Sequence, residues 1–276
     1  MSLNTYFGQS SRGRMGREGQ PGTEMKGYRD FEFDLPAALL QRLIEILDSM
    51  ETAPLSDEAA DLPPEVQGVY QLFFDDALVY IGKTDNQAGL RKRLMRHATK
   101  VLHRQNLDPS SMSFKAVRIY VFTPMDLEAD LIRHYGGVGT IAWNGSGFGS
   151  NDPGRERDTT LIKEGNFDLL FPVDIDRTLE ADFSSARSAA DLVTILKTAV
   201  PYTFRYQQSR RGSRKHHDDL VGSLLKKVPR HLTMRQALEF VVSKLPGGWQ
   251  ATAFPSHTIL YKETRDYPQG VVISRS

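Results

Sequence analysis

The stretch from Gly68 to His97 constrains this chain most, because it combines two short strands, a tight turn and a basic helix. The tripeptides Gly68-Val69-Tyr70 and Tyr80-Ile81-Gly82 lie on either side of the turn residues Asp75-Asp76-Ala77. Apolar and aromatic runs around such a turn predict a β-hairpin over residues 66–82.

The length of the hairpin loop decides whether Tyr70 and Tyr80 share a face of the sheet. Side chains alternate between the faces of a strand, so a shift of one residue reverses the direction of every side chain. A two-residue loop pairs Tyr70 with Ile81 and points the phenols apart. A three-residue loop pairs Phe74 with Leu78 and places both phenols on one face. Because a shared site needs the second arrangement, we predict a three-residue loop.

The next segment, from Leu90 to about Arg104, has helical periodicity and two distinct seams. Its buried stripe is apolar and consists of Leu90, Leu94, Ala98 and Val101. A second, polar seam beside it consists of Arg93, His97, Lys100 and Arg104. A solvated basic face is one interpretation of this seam. The position of Arg93 and His97 at the edge of the apolar stripe, one turn apart, favours a functional role.

Composition narrows the chemistry that the chain can perform. The 276 residues include no cysteine, which excludes disulfides and thiolate metal sites and favours a hard cation such as Mg²⁺. No apolar run is long enough for a membrane span, and the first residues lack a signal peptide, so we expect a cytoplasmic protein. The net charge of +1 indicates no nucleic-acid binding by itself. Local concentrations of positive charge matter more.

The chain is expected to contain four regions. They are a flexible arm (1–27), a strand, helix and linker (28–65), a central core (66–165) and a C-terminal α/β extension (166–276). The arm, rich in Gly, Ser and Arg, is either a disordered tail or a segment that tracks DNA or a partner. Within the second region, Phe31–Phe33 alternates like a strand, residues 36–50 have helical spacing, and residues 52–65 read as the linker.

A carboxylate occupies an unexpected place in the core region. Residues 113–122 predict a third strand, and Thr123-Pro124 then begins a helix as N-cap and first residue. The apolar face of this helix consists of Leu127, Leu131, Ile132 and Tyr135. Glu128 falls within the arc of that face, where an unpaired charge costs several kcal/mol. A salt bridge to Arg93 would offset this cost, but we favour a metal ligand.

The remainder of the chain offers loops and basic segments. The Gly-rich stretch Gly145–Arg157 lacks a Gly-Lys-Ser/Thr sequence, so it predicts no nucleotide cofactor. It is either a loop that contacts phosphate or guanine through Arg155 and Arg157, or an ordinary surface loop. The extension is expected to hold helices near 189–200, up to 227 and at 233–244, with hairpin strands at 249–262 and 270–274.

Together these residues resemble the GIY-YIG nuclease superfamily over about residues 68–145. The motifs, in order, are Gly68-Val69-Tyr70, Tyr80-Ile81-Gly82, Arg93-x-x-x-His97, Glu128 and Asn144. The loop after Asn144 resembles that of type II restriction endonucleases that cut GC-rich palindromes such as CCGCGG. The resemblance implies an α+β fold, with a small three-stranded antiparallel sheet flanked by helices, an N-terminal arm and helix, and a C-terminal α/β extension.

The resemblance also implies how water is activated for phosphodiester hydrolysis. Tyr70 would act as the general base or activate the water, an unusual task for a phenol of pKa about 10. Lys83, three residues beyond Tyr80, would favour the phenolate. His97 and Tyr80 would orient the water and the base.

The remaining motif residues would handle phosphate and metal. Arg93 would hold the scissile phosphate, and Asn144 would position it. Glu128 would bind one Mg²⁺, replaceable by Mn²⁺, against the phosphate and the leaving oxygen. Waters and phosphate oxygens would complete this one-metal site.

The implied partner is double-stranded DNA, cut in the cytoplasm of a bacterium by a homodimer that matches the two-fold symmetry of a palindrome. Candidate DNA contacts are Arg91, Arg96, Lys100, Arg104, Arg155, Arg157, Arg210, Arg211, Arg214 and Lys215. Two alternatives stay open: a monomeric GIY-YIG nuclease for repair or mobile elements, and a DNA-binding module without catalysis.

Overall fold

The computed structural model describes residues 27, 28, 31, 33–84, 89–120, 127–137, 139–149, 154–210 and 212–276. The chain divides into two compact units, Met1–Leu35 and Pro36–Ser276. The predicted flexible arm lies almost wholly outside the described residues. In the first unit the Phe31 and Phe33 rings stack with centroids 6.3 Å apart. Neither residue lies in a strand, contrary to the prediction.

Helices and strands alternate irregularly, as in an α+β protein. Up to residue 134 the elements are α1 (Leu35–Ser49), β1 (Ala53–Pro54), α2 (Asp57–Asp61), β2 (Gly68–Phe74), β3 (Ala77–Thr84), α3 (Leu90–Leu102), β4 (Met112–Arg118) and α4 (Leu127–His134). After it they are α5 (Glu156–Thr159), α6 (Phe167–Leu170), α7 (Ala189–Ala199), β5 (Thr203–Tyr206), α8 (Asp218–Gly222), α9 (Met234–Val242), β6 (Gln250–Ala253), β7 (His257–Tyr261) and β8 (Val271–Arg275). None of the described helices is long and apolar enough to cross a bilayer.

The first sheet has four antiparallel strands in the order β1-β4-β2-β3, not the three that we expected. The additional strand, β1, comes from the segment predicted to be a linker. That segment also carries the short helix α2, and its Leu55 and Ala60 are buried. The linker prediction was therefore wrong, because these apolar side chains have a core to join.

Helices cover both faces of this sheet. On one face, the predicted apolar stripe of α3 packs with Tyr70, Leu72 and Phe114. On the other face, α1 and α4 pack against Val69 and Ile81. The third strand is shorter than predicted, and the predicted helix start at residues 123–124 lies outside the described residues. Helix α4 presents Leu127 and Leu131 to the core, as its periodicity indicated.

The second half of the chain forms another sheet with its own hydrophobic core. Its strand order is β5-β7-β6-β8, with β5 parallel to β7 and the other pairs antiparallel. The predicted helices at 189–200 and 233–244 are confirmed as α7 and α9, each begun by a capping box. The helix predicted to reach residue 227 is only the short α8.

The two halves meet at the end of α3. Arg104 and Val173 form an isolated β-bridge, and the amide of Asp174 donates to the carbonyl of His103 over 2.9 Å. Beside them, the buried guanidinium of Arg104 lies 2.8 Å from the carboxylate of Asp168. The polar seam of α3 therefore faces the second half of the chain.

Candidate functional site

Two tyrosines lie on the same face of the β2–β3 hairpin. The loop has two residues, Asp75 and Asp76, both with positive φ, so the predicted three-residue loop is wrong. The additional residue is Val79, a β-bulge in β3 that shifts the register. Beyond the bulge Tyr70 pairs with Gly82, and the rings of Tyr70 and Tyr80 come within 6.1 Å. The prediction that both phenols share one face is thus confirmed, although a β-bulge produces this arrangement and not a three-residue loop.

Gly82 lets the phenol of Tyr70 lie flat across β3. A Cβ added at this glycine would lie 2.4 Å from Oη and 2.5 Å from Cζ of Tyr70. Any side chain here would displace the ring. Gly149 has a similar relation to Tyr80, whose Oη would lie 2.6 Å from an added Cβ. Both glycines are therefore explained by close approach to a phenol.

His97 reaches the phenols from α3. Its Nε2 lies 2.8 Å from Oη of Tyr70, and both side chains are buried. Its Nδ1 has no hydrogen-bond partner within the described part of the chain. Burial, followed by the positive charges of Lys100 and Arg93, lowers the pKa of His97 well below its usual value. The imidazole is therefore neutral and able to accept a proton at Nε2.

An aromatic wall closes the site on the side of the Gly-rich stretch. Phe148 is buried and stacks on His97 with centroids 4.9 Å apart and an interplanar angle of 16°. Its ring also lies 5.0 Å from that of Tyr80. The sequence analysis missed this residue. A large apolar side chain among glycines was the available signal, since a surface loop rarely needs one.

Arg93 and Glu128 bring opposite charges to the phenols. Burial raises the pKa of Tyr70 well above its usual value; Tyr80 and Glu128 raise it further, and Arg93 opposes them. Burial and Glu128 also raise the pKa of Tyr80, while its hydrogen bond with Tyr70 and the charge of Arg93 lower it. The charges of Arg93 and Glu128 therefore act in opposite directions on both phenols.

Asn144 lies beside the phenol cluster, which the two tyrosines form with His97, but uses its amide on the backbone. Its Oδ1 accepts from the Ile81 amide and its Nδ2 donates to the Ile81 carbonyl, each over 2.9 Å. Nearby, the Trp143 amide donates to the Val79 carbonyl over 2.8 Å. Asn144 thus satisfies the outer edge of β3 at Ile81, and its predicted role in positioning the phosphate stays a prediction.

Lys83 is placed differently from the prediction. Lys83 is exposed near the end of β3, where its backbone pairs with Val69 three positions beyond Tyr80. Alternation along the strand directs its side chain to the face of Ile81, opposite the phenols. We therefore no longer expect Lys83 to favour the phenolate.

Several predicted DNA contacts are paired within the chain. Arg104 is buried against Asp168, and Arg157 lies 2.5 Å from the same carboxylate. Arg91 donates to the Pro63 carbonyl over 3.1 Å. The buried pair of Arg104 and Asp168 belongs to the fold, so we no longer expect Arg104 to bind the DNA backbone, whereas Arg91 and Arg157 remain candidates.

Other predicted contacts remain available at the surface. Arg96 is exposed on α3. Arg155 is also exposed; it donates to Gln207 over 2.9 Å and stacks on Tyr261 at 4.1 Å. The other exposed members of the predicted set are Arg210, Arg214 and Lys215. Arg211 lies outside the described residues.

The donors for a metal ion are few. Among the described residues no three acids or histidines cluster as a ready-made metal site. Glu128, half-buried on α4, is the carboxylate whose charge acts on both phenols, and it offers a hard oxygen donor. Mg²⁺ commonly binds through one or two carboxylates and completes its shell with water and phosphate oxygens. Glu128 fits that pattern.

Comparison with known proteins gives no functional assignment for this chain. No family model matches the chain. No curated protein matches it either. The geometry around Tyr70 and His97 is therefore the basis for a functional proposal.

Proposed function

We propose that the protein is a DNA endonuclease of the GIY-YIG type that hydrolyses phosphodiesters with the help of Mg²⁺. The observation that carries this proposal is the convergence of Tyr70, Tyr80 and His97, with the charges of Arg93 and Glu128 acting on both phenols. A cation for phosphate, a carboxylate for metal and a proton acceptor are the components that such a reaction needs.

The Tyr70–His97 pair provides a path for the proton of the attacking water. A phenol whose pKa is raised does not ionise by itself at neutral pH. In the tautomer with its proton on Nδ1, His97 accepts the Tyr70 proton at Nε2 while the phenol oxygen takes one from water. The water oxygen then forms its bond to phosphorus, the bond to the 3′ oxygen breaks, and the 3′ alkoxide takes a proton from solvent. His97 is the final acceptor in this scheme.

Arg93 and Glu128 act on the phosphate. The guanidinium of Arg93 neutralises the charge that develops on the non-bridging oxygens. Glu128 would hold Mg²⁺, which when bound supplies positive charge for the leaving oxygen. Asn144 keeps β3, and with it Tyr80, in place.

The finer assignment is a homodimeric type II restriction endonuclease for a GC-rich palindrome. It is supported by the likeness of the Gly145–Arg157 stretch to that branch of the superfamily, and by exposed cations in the second half of the chain. A two-fold dimer would place one cluster on each strand of a palindrome.

Digestion of a bacterial genome with the purified protein and Mg²⁺ tests both the nuclease activity and its sequence specificity. Sequencing the fragment ends should return one palindromic site with a constant overhang. Cutting of branched or nicked DNA without a sequence preference would favour a repair or mobile-element nuclease. DNA that is bound but left intact would mean a binding module.

A matched pair of variants on α4 tests the metal ligand. Glu128→Gln should abolish cleavage and leave DNA binding intact, since it removes the charge but not the side-chain volume. Asp130→Asn, on the same helix and paired with Arg133 at 2.6 Å, should cut normally. Retained cutting by Glu128→Gln would remove this residue from the site.

A further inference from the structure

A cleft of about 530 Å³ opens beside the phenol cluster, where α3 faces the second half of the chain. We call it the α3 cleft; its walls come from α3, from Gly147–Gly149 and from Pro201–Thr203. Sites for small ligands commonly enclose roughly 300–1,000 Å³. The cleft is therefore large enough for a nucleotide unit.

The lining of the α3 cleft is strongly basic. Its charged side chains are five cations and one carboxylate, namely Arg93, Arg96, Lys100, Arg104, Arg157 and Asp168. Asp168 already pairs with two of these cations, Arg104 at 2.8 Å and Arg157 at 2.5 Å. Positive charge therefore remains in excess on the α3 wall, and an anion is the complementary ligand.

Lys100 is held in a setting that suits a bound anion. Its Nζ donates to the Phe148 carbonyl and lies 4.4 Å from the centre of the Phe148 ring. Burial and the neighbouring Arg104 lower the pKa of Lys100 to about 7, with smaller contributions from Arg96 and Arg157, while Asp168 raises it. A phosphate would offset both the desolvation and the repulsion.

Neutral donors complete the lining. The Oη of Tyr202 is buried and has no hydrogen-bond partner in the described ranges, although most buried polar atoms have one. Burial and Asp174 raise the pKa of Tyr202, so its phenol stays protonated and can donate a hydrogen bond. The hydroxyl-bearing residues Thr203 and Ser256 also line the cleft.

We propose that the α3 cleft binds a second phosphodiester of the DNA strand, next to the one at the phenol cluster. Lys100 and Arg96 supply the charge, and Tyr202 donates a hydrogen bond. The identity of the ligand as DNA rests on the proposed function. The cleft itself contributes binding energy.

The salt dependence of DNA binding tests this proposal. Each phosphate neutralised by a cation adds about 0.9 to the slope of log K against log salt for duplex DNA. The Glu128→Gln chain keeps the DNA intact, and a pH near 6 keeps Lys100 charged. Adding Lys100→Met should lower the slope by about one and weaken binding about tenfold.

Lys92→Met is the matched control, because Lys92 is exposed on the same helix and lies 3.8 Å from Glu65. It should leave the slope unchanged. Equal slopes for the two lysine variants would overturn the proposal. Should Lys100→Met not fold, Arg96→Met decides the question, since Arg96 is exposed and its replacement should lower the slope in the same way.

The source of the phosphate can be separated in the same assay. Inorganic phosphate should compete weakly, and oligonucleotides with a 5′-phosphate or a 5′-hydroxyl should bind equally if the ligand is an internal phosphodiester. A tenfold preference for the 5′-phosphate, lost in Lys100→Met, would overturn that assignment and place a strand end in the cleft.

The outcome for the cleft is independent of the outcome for the reaction. If the wild-type chain leaves DNA uncut with Mg²⁺ but its salt slope depends on Lys100, the proposed phosphate site stands and the proposed nuclease activity is excluded. If the protein cuts DNA but the salt slope depends on neither Lys100 nor Arg96, only the proposed phosphate site in the cleft is excluded.

Discussion

Tyr70 and His97 share a hydrogen bond of 2.8 Å between two side chains that are only 2% and 5% exposed. Burial moves their pKa values in opposite directions, up for the phenol and down for the imidazole. At neutral pH both groups are therefore uncharged, and the proton lies on the phenol. Pairs of titratable groups with diverging pKa values are typical of acid–base sites.

Tyr70→Phe should lower the cleavage rate by roughly 10²–10⁴, the usual contribution of a positioned acid–base group. The ring remains, so DNA affinity and Tm should change little. Tyr120→Phe is the control, since Tyr120 is 78% exposed and contacts Arg118 rather than the cluster. Single-turnover rates measure the effect. Wild-type rates in Tyr70→Phe would exclude the phenol from proton transfer.

The cleavage rate should fall on the acid side only below about pH 6.5, the ordinary pKa of histidine. Because the pKa of His97 is lowered by burial, Lys100 and Arg93, the imidazole stays neutral until the pH falls through that lowered value. Rate–pH profiles measure this limb. An acid limb above pH 7 would contradict a neutral imidazole as the proton acceptor.

The same shift makes stability depend on pH. The unfolded chain binds a proton at the ordinary histidine pKa, whereas the folded chain does not. The free energy of unfolding should therefore decrease as the pH drops below about 6.5. His97→Gln should reduce that decrease, and denaturant titrations at pH 5.5 and 7.5 compare the two chains.

Gly82→Ala should both destabilise the fold and inactivate the site. Its Cβ would lie 2.4 Å from Oη of Tyr70, so the ring must move, at a cost of about 1–3 kcal/mol. Gly222→Ala meets nothing within 4 Å and serves as the control. Thermal denaturation and the cleavage rate of the folded fraction are the measurements. A fully active Gly82→Ala chain would show that the phenol need not lie across β3.

The positions of the site residues were predictable where they follow local periodicity. The stripe of α3 and the alternation of β2 and β3 brought Tyr70, Tyr80 and His97 together as expected. A bulge at Val79 and a three-residue loop give the same register at Tyr80, so the pattern of side chains could not distinguish them.

What the sequence could not predict depends on contacts between distant residues. Phe148 stacks on His97 only because the Gly-rich stretch folds back onto α3. The amide of Asn144 is used by Ile81, which lies on a strand far away in the chain. The parallel pairing of β5 with β7 likewise has no local signal.

Asn144→Asp should separate a positioning role from a catalytic one. The carboxylate keeps the acceptor for the Ile81 amide but loses the donor to the Ile81 carbonyl. We expect a loss of about 1–3 kcal/mol in stability, the cost of leaving a buried partner unsatisfied. Cleavage per folded molecule at low temperature should fall far less than in Glu128→Gln. An equal loss in the two variants would place Asn144 at the phosphate site.

Replacing the turn should stabilise the chain without affecting cleavage. Asp75 and Asp76 have φ of 47° and 62°, a conformation that Asn-Gly adopts with less strain. Asp75→Asn with Asp76→Gly should raise stability by about 1 kcal/mol. Chemical denaturation and plasmid cleavage test this double variant. A change in rate would mean that the turn takes part in the site.

The bulge at Val79 divides the hairpin into a tip and a base with separate pairing registers. The tip carries the turn, and the base carries Tyr70 and Tyr80. A gain or loss of one residue at the tip can be absorbed by forming or removing the bulge, and the base then keeps its phase. A change in the length of the turn can therefore leave the two phenols opposed to His97, while Phe74 and Val79 keep the tip packed against the core.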